Sequence, residues 1–167
     1  TSSDWSDWKL DAVGVEQLDG LRWEQFKLGL AQQVRKQGSA GVSADSMFEL
    51  YQHQGIEELL ATIPQWRSVH LKALEDELNK VGYALLGAKQ AEHAVRLFRR
   101  ITEDFPDSAN AWDSLAEMYE SAGKPELAIA ASERCLAKLP GSGYEEGSKE
   151  TLAKASSERI ARLKEKP

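Results

Sequence analysis

The side chains best able to do chemistry here are three histidines, one cysteine and several runs of acids. His53, His70 and His93 stand far apart, and none has a second ligand four residues on in the manner of H-E-x-x-H. His93, beside Glu92 and Arg96, reads as an exposed helical residue. A single cysteine, Cys135, excludes an internal disulfide and a cysteine-based zinc site. It reads as a buried structural thiol. Glu57-Glu58, Glu75-Asp76-Glu77 and Glu145-Glu146 are adjacent acids. Hydrolytic carboxylates face each other across a cleft, whereas neighbours on one helix diverge by about 100° per residue. These runs therefore read as solvated faces. Gly141-Ser142-Gly143 lacks a following Gly-Lys-Ser/Thr, so it reads as a turn and not a phosphate cradle. No G-x-S-x-G nucleophile elbow occurs. The expectation is a chain with no catalytic residue, no cofactor and no metal.

Bulk properties narrow the class further. A length of 167 residues fits about one domain. Apolar residues make up 41% and charged residues 29%, with 27 acids against 21 bases and a net charge of −6. That balance argues against nucleic acid, which asks for a basic stripe. The densest basic group, Arg96, Arg99 and Arg100, is interleaved with acids. Pairs such as Glu92–Arg96 and Arg99–Glu103 would make it a solvated helix face. No run of 18 apolar residues spans a membrane. No signal peptide is visible. The compartment stays open between cytoplasmic and, with a leader upstream of Thr1, periplasmic.

The elements that carry these residues all repeat near 3.6, and none alternates at 2. The pattern predicts an all-α chain of seven or eight helices. Residues 1–41 form an N-terminal helical segment, with Trp5 and Trp8 three apart and a helix from Val15 to about Lys36. Gln37 to Gly41 is the best linker. Ser43 caps a helix from Ala44 to about His53, Gly55 breaks it, and Ile56 to Ser68 follows. Pro64 should kink that second helix or make an irregular turn. Further helices are expected at 71–86 and 90–104, then a helical hairpin from Ala109 to about Lys138 broken at Gly123 and Lys124-Pro125, then a helix at 148–164. The last carries a sparse apolar stripe of Leu152, Ala155, Ile160 and Leu163. It suits a polar cap on an open helical stack.

Between Ala109 and Pro140 the spacing becomes specific. Trp112, Leu115, Ala116 and Tyr119 precede a break at Gly123-Lys124-Pro125, and Ala128, Ser132 and Pro140 follow. This resembles a tetratricopeptide repeat, W-x2-L-G-x2-Y, then A-x3-F, then P. Ala116 stands where Gly is usual and Ser132 where Phe is usual. One period of 34 residues earlier the same slots hold Leu78, Val81, Gly82, Leu85, Ala94, Phe98 and Pro106. There Gly82 and Phe98 fit the pattern. Residues 44–69 read as a degenerate repeat ahead of the clear repeats 75–106 and 109–140, all within a repeat region 42–140. Residues 141–167 form the capping helix.

The resemblance implies a right-handed superhelical stack of helical hairpins whose first helices line a concave groove. Slot by slot, the groove positions are Asn79 and Tyr83, then Asp113, Glu117 and Glu120. Members that clamp a C-terminal carboxylate place Lys, Arg and Asn there. Three carboxylates here imply instead a basic or polar protein or peptide partner. Trp5, Trp8 or Trp23 would be the plug if the chain filled its own groove. The stretches Leu78–Leu86, Phe105–Leu115, Phe48–Tyr51 and Gly55–Glu57 also resemble the C-terminal helical extension of certain bacterial serine hydrolases, the esterases and β-lactamase-like proteins. Asp19–Trp23 is similar to the end of an esterase domain. That resemblance implies an accessory domain, without catalytic residues of its own.

Overall fold

Ser43 opens the first helix with a reciprocal serine pair. The Ser46 amide donates to Ser43 Oγ at 3.3 Å, and the Ser43 amide donates back to Ser46 Oγ at 3.3 Å. This is the capping-box exchange with serine in the Glu/Gln place. Glu77 supports the same end by accepting from the Ala44 amide at 2.6 Å. The computed structural model describes residues 43–67 and 71–165, which fall within one compact unit, Val42–Pro167. The expectations for 1–41, including Trp5, Trp8 and Trp23, lie outside the described residues.

Among the described residues six α-helices follow in order: α1 Ala44–Arg67, α2 Leu71–Gly87, α3 Ala91–Asp104, α4 Ala109–Ser121, α5 Pro125–Lys138 and α6 Glu146–Lys164. A 3₁₀ turn, Leu139–Gly141, precedes α6. Among the described residues there is no strand. Gly55 divides α1, with φ 76° and ψ −176°. Pro64 does not. It keeps helical torsions and is exposed, so the carbonyl that loses its partner can face water. The kink expected at Pro64 therefore falls wholly on Gly55.

Two turns repeat in detail. After α4, Gly123 takes φ 70°. The Lys124 amide donates to Tyr119 O and the Gly123 amide to Glu120 O, at 2.9 and 3.0 Å. After α2, Lys89 takes φ 61°, the Gln90 amide donates to Leu85 O and the Lys89 amide to Leu86 O, both at 2.9 Å. Both ends are Schellman motifs, which place one residue in the left-handed region to satisfy the last carbonyls. Gly55, Lys89 and Gly123 all have positive φ, and each follows the last by 34 residues. Pro125 then starts α5 at a position that needs no donor. Ser108 caps α4, its Oγ accepting from the Ala111 amide at 3.1 Å.

Each helix packs on the next, from α1 to α6. The core is thickest at α1 to α3, where Met47, Leu50, Leu59, Ile63, Leu74, Leu78, Leu85, Leu97, Phe98 and Ile101 are buried. Each such side chain contributes about 1.5–3 kcal/mol. It thins toward the C-terminus. α5 buries only Ala128, Ala131, Ser132 and Cys135, and α6 only Ser156, Arg159 and Leu163.

Some ion pairs run along one helix, such as Glu77–Lys80 and Arg100–Asp104, but Glu92 and Arg96 pair across helices and not with each other as expected. Glu92 takes Lys124 at 2.6 Å, and Arg96 takes both oxygens of Glu57 at 2.5 and 2.8 Å. Neither the Glu92–Arg96 nor the Arg99–Glu103 pair forms. Asp104, nearly buried, gathers Arg67 and Arg100 at 2.8 and 2.6 Å. The acidic triplet is not a plain solvated face either. Glu75 and Glu77 lie about 200° apart around α2. Glu77 therefore reaches back to α1, and Glu75 accepts from Ser108 Oγ at the start of α4. Burial raises the Glu75 carboxyl, and the Ser108 bond partly offsets that rise. His93 is half-buried, with Nδ1 2.8 Å from the Tyr51 hydroxyl.

Candidate functional site

α2 and α4 present the five expected groove residues, because 79 and 83 are one turn apart on α2 and 113, 117 and 120 share a stripe on α4. The structure sorts them into two groups. Asn79, Tyr83 and Glu117 meet in one polar cluster around Ser114. Ser114 Oγ donates to Asn79 Oδ1 at 3.2 Å and lies 3.3 Å from the Tyr83 hydroxyl. The Tyr83 hydroxyl donates to Glu117 Oε2 at 2.8 Å. The Tyr83 ring stands edge-on to Phe98, with centroids 5.8 Å apart and planes at 75°. Tyr83 remains 37% exposed. Among the described residues only Tyr83 and Leu127 stand out as exposed large hydrophobics. Burial of its hydroxyl end pushes the Tyr83 pKa up to about 12; the Ser114 bond pulls it down, and the Glu117 bond and charge push it up.

Asp113 and Glu120 turn to α6. Asp113 Oδ1 accepts from Arg159 Nη1 at 2.7 Å and from Ser156 Oγ at 3.0 Å. Glu120 accepts from both terminal nitrogens of Arg162, one of them at 3.2 Å, and its Oε2 lies 3.6 Å from Arg159 Nε. Two of the three acids expected to meet a ligand are thus neutralised within the chain, and Glu117 carries the acidic character of the face.

Sequence reading missed Ser114 and Arg159. Ser114 is buried at 2% exposure and lies one residue beyond a full period from Asn79. That spacing was its only signal. Arg159 sits in an otherwise polar helix, and nothing in its neighbours marks it as buried. Its Nη1 also donates to Ser132 Oγ at 3.2 Å. The guanidinium thus reaches Ser132, which stands 34 residues after Phe98.

The described residues offer little else to a reaction. No group of three His, Cys, Asp or Glu is placed to hold a metal ion among them. Cys135 is fully buried, and burial pushes its thiol pKa up, away from the nucleophilic thiolate. No described helix is long and apolar enough to cross a membrane. No protein-family model matches the chain, and no curated protein matches it.

Proposed function

We propose that the chain is a tetratricopeptide-like stack that binds a protein or peptide segment on the α2–α4 face, without catalysis. The 34-residue recurrence of the left-handed turn residues Gly55, Lys89 and Gly123 supports the repeat reading. The observation that carries the binding reading is the Tyr83–Glu117 bond. It holds an exposed aromatic ring and a carboxylate on one surface that spans two repeats. Tyrosine is enriched at binding hot spots because it offers an apolar body and a polar tip. Glu117 steers a basic or polar segment, setting specificity and association rate more than affinity. A net charge of −6 disfavours nucleic acid as the partner.

Selection of random peptides on the immobilised chain tests this. Enriched peptides should be cationic. Tyr83→Ala should weaken them by about tenfold or more, the scale of a hot-spot truncation. Glu117→Lys should slow their association while leaving the melting temperature near that of the parent. Enrichment indifferent to both substitutions rejects the site.

A further inference from the structure

α6 is held by contacts unlike those elsewhere in the array. α3 buries Val95, Leu97, Phe98 and Ile101. The buried side chains of α6 are Ser156, Arg159 and Leu163. Its apolar side chains are mostly half-buried: Leu152 and Ala153 lie beside the small cluster of Ala109, Cys135 and Leu139, and Ala155 and Ile160 are also only partly covered, while Leu163 is buried. The rest of its hold is ionic. Arg159 binds Asp113 and Ser132, Ser156 binds Asp113, and Arg162 grips Glu120. Arg159 Nε is buried and has no hydrogen-bond partner. Taking a guanidinium and a carboxylate out of water roughly cancels their attraction, and an unsatisfied buried donor is a further cost. An isolated helix of this length is marginal in water. Release of α6 therefore costs little compared with release of any inner helix, and it uncovers two carboxylates on α4.

We propose that α6 is a displaceable latch over a second docking surface. Asp113 and Glu120 on α4 and Ser132 on α5 form that surface, and its occupant is a basic helix. α6 itself gives the recognition pattern, Ser156-x-x-Arg159-x-x-Arg162-Leu163. A partner helix with serine, arginine, arginine and leucine at that spacing reproduces the hydrogen bonds to Asp113, Glu120 and Ser132 and the buried leucine. It gains over α6 wherever it presents a larger apolar face toward Cys135 and Leu139. This is helix-in-groove recognition with the groove filled in the resting chain by a segment of the chain itself. The inference goes beyond the Tyr83–Glu117 site and does not depend on it.

Hydrogen exchange of the full chain, read by mass spectrometry, tests the latch. Amides of Leu152–Arg162 should exchange about 100-fold or more faster than those of Leu115–Met118 and Ala128–Ser132, as a separately opening unit does. Equal protection across α4, α5 and α6 overturns the proposal. Docking is tested with a fluorescent peptide of the sequence 145–165 added to the full chain carrying Arg159→Gln and Arg162→Gln. Saturable binding is expected, and adding Asp113→Asn and Glu120→Gln to the chain should abolish it. A chain that keeps its α4 protection yet does not bind the peptide overturns the docking surface. If the double variant does not fold, Arg162→Gln alone, at an exposed position, serves in its place. Exchange across α6 reports the latch and not Tyr83, so failure here and failure of the Tyr83–Glu117 site give different results.

Discussion

Gly82 of α2 lies directly under the ring of Phe98 on α3. A β-carbon on Gly82 would overlap Phe98 Cε2 and stand 2.7 Å from Cζ. One period later the same two slots hold Ala116 and Ser132, both fully buried. A larger residue on one helix is matched by a smaller one on the other. Ser132 is reached by Arg159 from α6. The first junction is thus closed by an aromatic ring and the second by a charged side chain from a third helix.

Gly82→Leu should be strongly destabilising, since the neighbour is a buried ring and not the end of a flexible chain. Overpacking of this kind costs about 1–3 kcal/mol. Gly82→Ala should cost less, and adding Phe98→Leu should recover part of the loss, because residues in contact do not act independently. Urea denaturation of the single and double variants measures the coupling. Strict additivity would show that the two residues do not share the space.

The left-handed turn positions give a second test. Lys89 holds φ 61° where Gly55 and Gly123 hold the same region one period away. A β-carbon there costs roughly 1–2 kcal/mol in the left-handed conformation. Lys89→Gly should therefore raise the thermal midpoint, less the backbone entropy that glycine adds to the unfolded chain. Gly123→Ala should lower it. Calorimetry on both variants, with opposite signs expected, checks the assignment.

Much of the architecture was readable in the sequence because turn residues and apolar spacing are local signals. Ser43, Gly55, Gly123 and Pro125 mark helix ends by their own backbone preferences. The slots of Gly82 and Phe98 were readable from the 34-residue recurrence, but their contact was not. What was not readable depends on a neighbouring helix. Lys89 adopts a glycine conformation because the turn is fixed from both sides. Glu92, Arg96 and Glu75 look like members of solvated runs, yet their partners are Lys124, Glu57 and Ser108 on other helices. Asp113 and Glu120 looked available to a ligand because the sequence does not show where α6 lies. Ser132 announced missing volume without saying what fills it.

The Arg159 junction should be convertible to the Gly82 type. Arg159→Ala alone leaves Asp113 without its main partner. That should cost about 3 kcal/mol, the low end for a broken buried pair because Asp113 keeps 14% of its side chain exposed. Adding Asp113→Asn, Ala116→Gly and Ser132→Phe recreates the slots of Asn79, Gly82 and Phe98 one period earlier. Most of the lost stability should return, as buried ion pairs replaced by packed apolar groups are often neutral or better. Chemical denaturation of the single and fourfold variants decides it. A fourfold variant no more stable than Arg159→Ala would show that α6 cannot pack on α4 and α5 without its arginine.

Tyr83 links the candidate site to pH. Its folded pKa is raised from 10.0 to about 12, first by burial of the hydroxyl, with the Ser114 bond lowering it and Glu117 raising it. A raised phenol means that the native state keeps its proton where the unfolded state has lost it. The contribution to stability is whole below pH 10 and falls as pH rises from about 10 toward 12, because the native state then binds more protons than the unfolded state. Tyr83→Phe should remove that fall without steepening the profile below pH 9. The difference in phenolate absorbance between parent and Tyr83→Phe should show no step near pH 10 and should rise only toward pH 12. Glu117→Gln should lower the midpoint, since it removes the charge that opposes the phenolate and leaves the Ser114 bond in place. A Tyr83 step at pH 10 in the parent would mean that the hydroxyl is open to water and not held between Ser114 and Glu117. The α2–α4 face would then offer a ligand a loose ring and not a fixed one.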